Sequence, residues 1–186
     1  MSHNIVINSL YFIFLLFIIA SCSTLVEDEN MNKNNIIYKI RSIDSNFINL
    51  ETLLFVDIDT QSLLHIKKGT VFKKYSISSS YYGTGSTENS LKTPLGRHEI
   101  YKKIGNGLPN NAILKGRVWN GAIADIITEP IDTDFDLVTS RILWLDGLEV
   151  GKNKGEGIDS RNRYIYIHGT AEEGLIGKPA SDGCIR

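Results

Sequence analysis

The sequence predicts a mainly β domain, a β-rich mixed fold, and three observations support that class. Short apolar or alternating segments recur along the chain, turn-forming residues separate them, and no segment has the sustained period of an amphipathic helix. The composition is that of a globular protein, with 42% hydrophobic and 22% charged residues among 186. That length leaves room for one domain of ordinary size and a leader.

The first strands are expected to form an antiparallel meander. An apolar run over 52–57 suits a strand, and the alternation over 62–67 suits a second one. Asp59-Thr60-Gln61 and Lys68-Gly69 supply the turns, and a third strand is expected over 71–78. Short strands joined by tight turns in this way pair with their neighbours in the chain.

Four further strands are expected downstream. They cover 98–102, 118–127, 137–145 and 164–167, and the last of them is short and buried. The glycine- and serine-rich stretch over 78–90, together with Pro94 and Gly96, indicates a long loop before the first of these strands.

The N-terminal segment predicts export. Leu10 to Ala20 is an uninterrupted apolar run, too short to cross about 30 Å of hydrocarbon comfortably and typical of a signal-peptide core. Ile19-Ala20-Ser21-Cys22 resembles a bacterial lipobox, so residues 1–21 are interpreted as a lipoprotein signal peptide and Cys22 as the lipidated residue. The alternatives are an uncleaved anchor and a plain secretory signal, since the usual positive flank is absent. All three export the domain, and the expected location is the periplasm, with a membrane tether through Cys22.

Residues 22–50 are predicted to be a polar tether, although 36–40 could form a short strand or helix. The folded domain is predicted to cover 51–186. The formal net charge is −1 and no basic stripe stands out, which argues against electrostatic capture of nucleic acid.

His168 and Cys184 are the residues best suited to chemistry. If Cys22 is acylated, Cys184 is a free thiol in an exported protein and therefore a candidate nucleophile. A nearby imidazole lowers the pKa of a thiol and later protonates the leaving amine. Gly183 suits a tight turn that exposes the sulfur and aims amide N–H groups at a developing oxyanion.

These residues resemble the motif of the L,D-transpeptidase catalytic domains of bacterial cell walls, the YkuD-like family. That motif is a His-Gly strand end and a later Ser-x-Gly-Cys followed by an apolar residue and Arg. Here it is His168-Gly169-Thr170 and Ser181-Asp182-Gly183-Cys184-Ile185-Arg186, with Asp182 where many members have His. The segment 92–96 is similar to the family's Thr-Pro-x-Gly element, so the resemblance covers 51–186. It implies a β-sandwich with the Cys/His site at strand ends and loops.

The resemblance also implies a function. Cys184 would attack the carbonyl that joins diaminopimelate to D-alanine in a peptidoglycan stem peptide, and His168, oriented by the Gly169 carbonyl, would be its base. Arg186 would help to position the substrate. The other motif residues are expected to support the loop and the oxyanion: Ser181, Asp182 and Gly183. No cofactor is implied. The acyl acceptor would be another stem peptide (a 3→3 cross-link), a lysine of a wall-bound lipoprotein, or water.

Several alternatives stay open at this level. A thiol hydrolase, such as an L,D-carboxypeptidase or amidase, would cleave the same wall bonds with water as acceptor. Because family domains normally continue past the Cys-x-Arg, the sequence also leads us to expect a domain that is incomplete at its C-terminus, and an inactive remnant is the third possibility. A zinc site from His168, Asp182, Cys184 and His98 lacks paired ligand spacing, so no metal is expected. Trp119 and Trp144 are expected to pack in the core. Glu172-Glu173 is expected to be a solvated loop patch.

Overall fold

The computed structural model describes residues 36–42, 45 and 49–186. A helix over 36–42 belongs to one compact unit, and the residues from 49 onward belong to a second. The predicted signal peptide, the lipidation site at Cys22 and most of the predicted tether lie outside the described residues. Among the described helices, none is long and apolar enough to cross a membrane.

The second unit contains two antiparallel sheets, which confirms the predicted mainly β fold. The first sheet has the order β1-β2-β3, with strands Thr52–Asp57, Ser62–Lys67 and Thr70–Ser76. It is the expected meander, and the predicted bounds of β1 and β2 are confirmed. The predicted third strand is shifted, since β3 begins at Thr70 and ends at Ser76.

The second sheet has the order β4-β7-β5-β6, and β8 also pairs with β7. Its strands are His98–Ile104, Ala112–Lys115, Val118–Ile123, Thr139–Gly147 and Tyr166–Gly169. The short strand β5 has no counterpart in the sequence prediction, and β6 is shorter than predicted. The last predicted strand is displaced by two residues, so that His168 and Gly169 lie within β8 instead of beyond its end.

One apolar cluster joins the two sheets into a sandwich. Leu63 of β2 and Leu145 of β7 are buried together with Ile185. Val56 of β1 and Ile167 of β8 are half-buried and pack against them. Because this core includes Ile185, burial of apolar surface holds the motif segment against both sheets.

Candidate active site

The pairing of Ile185 with β8 places the cysteine and the histidine on one face. Ile167 and Ile185 form a parallel bridge. The Ile185 N–H donates to the Tyr166 carbonyl at 2.8 Å, and the Ile185 carbonyl accepts from the His168 N–H at 3.0 Å. Successive side chains of an extended segment point to opposite faces. Ile167 and Ile185 therefore face the core, and Cys184 lies on the opposite face with Tyr166 and His168.

His168 is held as a neutral imidazole. Its Nδ1 lies 2.8 Å from the Gly169 carbonyl, which can only accept, so Nδ1 carries the proton. Burial lowers the pKa of His168; the hydrogen bond to Gly169 and the charge of Asp136 act in the opposite direction. The unprotonated Nε2 is left as the basic nitrogen, which is the form a general base requires.

Cys184 is a half-buried free thiol that is turned toward the backbone of β8 and the residues before it. Its Sγ accepts from the Tyr166 N–H at 3.3 Å and lies 3.5 Å from the Tyr164 carbonyl. Burial raises the pKa of the Cys184 thiol to about 12, although the Tyr166 N–H and the charges of Arg163 and Arg186 favour the thiolate. Within the described part of the chain, no hydrogen bond joins His168 and Cys184. The thiol and its candidate base therefore lie on the same face without a hydrogen bond between them.

The turn before the cysteine is braced by buried hydroxyl groups. The Ser181 hydroxyl donates to the Cys184 carbonyl at 2.5 Å and accepts from the Gly183 N–H at 3.3 Å. The Thr93 hydroxyl, in the Thr-Pro-x-Gly segment, donates to the Gly183 carbonyl at 3.0 Å. Gly183 has φ +120°, a conformation that a residue with a Cβ rarely adopts. The Ser181 hydroxyl and Thr93 of a separate segment thus fix the backbone of the turn that carries Cys184.

Arg186 is buried between two carboxylates. Its Nε lies 3.0 Å from Asp136 Oδ1 and its Nη1 lies 2.8 Å from Glu172 Oε2, although the second contact lies outside hydrogen-bond geometry. Glu172 Oε1 in turn accepts from the backbone N–H and the hydroxyl of Thr133. The expectation that Glu172 belongs to a solvated patch was wrong, because its side chain is only 1% exposed.

Asp136 and Glu172 are the members of the site that the sequence did not indicate. No spacing connects either residue with Arg186, and both contacts depend on the fold. One signal was present in the sequence, since Glu172 follows the His168-Gly169 pair closely.

A cleft of about 350 Å³ opens beside the imidazole. The cleft is lined mostly by polar residues and includes His168 and Gly169 of β8. The lining residues are Asn111, Thr139, Ser140, His168, Gly169, Thr170, Glu173, Ile176 and Arg186. The cleft is large enough for a short peptide segment next to His168. Arg186 contributes to its wall while holding Asp136 and Glu172.

Asp182 is exposed beside a second, smaller cleft of about 120 Å³. Partial burial raises the pKa of Asp182, and the negative charge of Asp136 raises it further. The backbone N–H of Asp182 lies 3.4 Å from Asp136 Oδ2. Asp182 is therefore one of several carboxyl groups that line this smaller cleft.

The histidine and tryptophan residues outside the motif have structural contacts. His98 opens β4 and lies 2.9 Å from the Ser160 hydroxyl. Trp144 is half-buried on β7 and packs edge-to-face on Tyr101 and Tyr166, whereas Trp119 on β6 is 38% exposed, which makes the core expectation for Trp119 wrong. In the described residues, no group of three His, Cys, Asp or Glu side chains converges as a metal site would need.

The family comparison agrees with this geometry. The model of the L,D-transpeptidase catalytic domain, YkuD, matches residues 51–186. That range contains both sheets, the cleft and every residue of the His-Gly and Ser-x-Gly-Cys segments. No curated protein and no solved structure shows a significant match to the chain.

Proposed function

Because the chain belongs to the L,D-transpeptidase catalytic domain family, we propose that it is a peptidoglycan L,D-transpeptidase with Cys184 as nucleophile and His168 as base. The observation that carries the proposal is the shared face of β8 and the motif segment. The thiol lies on the same face as His168, with its sulfur against the backbone of Tyr166 and Tyr164, the basic Nε2 available and a cleft beside the imidazole.

The first half-reaction forms a thioester. The Cys184 sulfur rotates away from the Tyr164 carbonyl and attacks the carbonyl carbon between diaminopimelate and D-alanine, while His168 Nε2 takes the thiol proton. The C–N bond then breaks, and D-alanine leaves with that proton on its amine. Transfer to His168 is what allows a thiol with a raised pKa to react at neutral pH.

The second half-reaction restores the enzyme. An acceptor amine attacks the thioester carbonyl and gives a proton to His168, which returns it to the departing Cys184 thiolate. The product is a 3→3 cross-link when the amine belongs to a second stem peptide, or an attached protein when it belongs to a lipoprotein lysine. Water in place of the amine gives hydrolysis.

The turn at Gly183-Cys184 is suited to the developing oxyanion. Among the described residues, the backbone N–H of Cys184 has no hydrogen-bond acceptor, whereas the Gly183 N–H is engaged at 3.3 Å with the Ser181 hydroxyl. An amide donor that is fixed before substrate arrives stabilises the tetrahedral intermediate without reorganisation. We assign the main oxyanion contact to Cys184 N–H, with Ser181 and Gly183 holding it in place.

The acylation step is tested by mass spectrometry after exposure to a carbapenem, which acylates the cysteine of this family. We expect one adduct on Cys184 in the wild type and none in Cys184→Ser. His168→Ala should form the adduct far more slowly, since the thiol then lacks its base. A wild-type protein without the adduct would refute the catalytic role of Cys184.

The acceptor is tested by digesting peptidoglycan after incubation with the protein. Accumulation of 3→3 dimers supports the transpeptidase, and accumulation of shortened monomers without dimers supports a hydrolase. Both results require the same acyl-enzyme, so the experiment separates the two activities independently of the carbapenem test.

We also propose that the domain is exported and tethered through a lipidated Cys22. The support is the apolar run over 10–20 and the Ile19-Ala20-Ser21-Cys22 sequence. A labelled fatty acid should be incorporated into the wild-type protein and not into Cys22→Ala, which should also keep residues 1–21. Incorporation of the label into Cys22→Ala, or its absence from the wild type, would show that Cys22 is not the lipidated residue.

A further inference from the structure

Arg117 lies on the thiol face of the second sheet with its charge uncompensated. Its guanidinium stacks over the rings of Trp144 and Tyr164, at 4.7 and 4.9 Å from the centroids. Its Nη1 donates to the Tyr166 hydroxyl at 3.1 Å. Among the described residues, Arg117 makes no ion pair and no other hydrogen bond. A guanidinium has five N–H donors, so four of them are available to a ligand.

The aromatic residues orient this guanidinium. Stacking on two rings leaves the edge of the plane, where the N–H groups project, open to an acceptor. A planar donor held in this way fits the two oxygens of a carboxylate. The arrangement resembles a recognition site more than a structural contact, because a structural arginine normally finds a carboxylate within the protein.

The backbone at Arg117 also favours a binding role. Gly116 and Arg117 form the two-residue turn between β5 and β6, closed by the Lys115–Val118 pair, and their φ values are +57° and +70°. Both positions of such a turn favour glycine or asparagine. Arginine in the left-handed region costs conformational free energy that a glycine would avoid. Arg117 therefore lowers the stability of the turn.

Arg117 adjoins Cys184 through the residues that contact the sulfur. Tyr166 binds Arg117 with its hydroxyl and Cys184 Sγ with its backbone N–H. Tyr164 stacks under Arg117 with its ring and approaches Sγ with its carbonyl. Along 164–168, the residues that Cys184 shares with Arg117 are therefore Tyr164 and Tyr166, whereas His168 and the 350 Å³ cleft lie at the other end of the segment.

This order assigns the two parts of the donor peptide to the two sides. His168 must reach the leaving amine, so the departing D-alanine lies on the His168 side. The acyl part then extends toward Arg117. Diaminopimelate, the residue that becomes the thioester, ends its side chain in a carboxylate and an amine, whereas lysine ends in the amine alone.

We propose that Arg117 binds the side-chain carboxylate of diaminopimelate in the donor peptide and selects it over lysine. The inference rests on the proposed function, because it concerns the substrate of the same site. Arg117 is a specificity-determining residue that takes no part in proton transfer. The contact persists in the thioester, since the carboxylate belongs to the acyl group that the enzyme retains.

The test is direct binding, measured by calorimetry on the full chain carrying Cys184→Ala. Two tetrapeptides are compared, L-Ala-γ-D-Glu-X-D-Ala with X either meso-diaminopimelate or L-lysine, so that the ligands differ by one carboxylate. With Arg117 present, the diaminopimelate peptide should bind about tenfold more tightly or better, as expected for a charge-assisted bidentate contact. In Arg117→Gln this ratio should fall to near one, with the affinity for the lysine peptide unchanged.

Three further variants separate recognition from a structural role. Arg117→Lys keeps the charge and should keep part of the selectivity. Arg117→Gly suits the φ of the turn, so it should remain folded in thermal melting while losing the selectivity. Lys115→Gln removes an exposed cation from the same hairpin and should leave both affinities unchanged.

Each remaining outcome has a defined meaning. An equal loss of affinity for both peptides in Arg117→Gln, or an unchanged ratio, would overturn the assignment of the carboxylate to Arg117 while leaving the proposed function intact. If neither peptide binds the chain with Arg117 and carbapenems do not acylate Cys184 in the unmodified protein, the proposed function fails and the specificity role falls with it.

Discussion

Glu172→Ala is expected to destabilise the second unit strongly, because it leaves the buried charge of Arg186 with a single partner. The side chains of Glu172 and Arg186 are 1% and 2% exposed, and Oε2 and Nη1 are 2.8 Å apart. Removing one member of a buried ion pair costs about 3–5 kcal/mol. Asp136 remains 3.0 Å from Arg186 Nε, so we expect the lower end of that range, about 3 kcal/mol.

The same geometry predicts a graded series. Glu172→Gln keeps an oxygen that can accept from the backbone N–H and hydroxyl of Thr133, and it places an uncharged amide NH2 group opposite Arg186. Its expected cost is about 1–2 kcal/mol, the usual range for a weakened buried polar contact. Glu173→Gln is the matched control, since the neighbouring side chain is exposed and a surface change of this kind stays within about 0.5 kcal/mol.

The free energy of unfolding is measured by urea denaturation, followed through tryptophan fluorescence. The expected order of stability is wild type and Glu173→Gln together, then Glu172→Gln, then Glu172→Ala. A loss below about 1 kcal/mol for Glu172→Ala, with an unchanged denaturant slope, would show that the pair does not behave as a buried interaction.

Three other outcomes are expected from the structure. The rate at which iodoacetamide alkylates Cys184, followed by peptide mass spectrometry, should rise steadily as the pH rises past 9. The reason is that burial holds the thiol pKa at about 12 and the thiolate is the reactive form. A plateau of the rate below pH 9 would contradict this. Arg163→Gln should move that profile to higher pH, since the Arg163 charge favours the Cys184 thiolate, and Arg163→Lys should shift it less. Gly174→Ala should lower the free energy of unfolding in urea by about 1–3 kcal/mol, because the new Cβ would lie 2.1 Å from the Glu129 carbonyl oxygen, whereas Gly85→Ala meets only a flexible lysine side chain and should change little.

The sequence was informative where local pattern determines structure. The apolar run over 52–57, the alternation over 62–67 and the turn residues that follow each of them predict β1 and β2 at their observed bounds, because a tight hairpin needs specific turn residues. The strand β5, Ala112–Lys115, was missed because four residues carry too short a pattern to separate a strand from a loop.

The displaced start of β8 has a specific cause. Residues 164–167 form an apolar run, but Tyr164 has φ +57°, which is incompatible with a strand. The chain becomes extended only at Tyr166, and the pairing continues through His168 and Gly169 to Ile142 and Thr139 of β7. Hydropathy shows which side chains are buried, whereas the start of the ladder depends on a backbone angle that hydropathy does not encode.

The residues of the candidate site also differ in how well the sequence predicts them. His168, Cys184 and the glycine and serine residues of the motif are recognisable from their order in the chain. The partners of Arg186, which are Asp136 and Glu172, come from separate loops that the fold brings together. Charge pairing across such distances leaves no periodic signal in the sequence.

Hydrogen bonds join residues 78–80 to residues 181–186. Ser78 and Arg186 exchange backbone hydrogen bonds at 2.9 and 2.8 Å, and the Ser78 hydroxyl donates to the Lys178 carbonyl at 2.6 Å, across about one hundred intervening residues. Closing so long a loop costs entropy, and contacts between residues so far apart in the chain slow folding. The segment 181–186 is also held by backbone bonds to residues 78–81 and to β8 and by the burial of Ile185, so its separation should need a free energy close to that of global unfolding. Cys184 should therefore lose its burial only when the second unit unfolds, and its modification in urea should follow the same transition as tryptophan fluorescence.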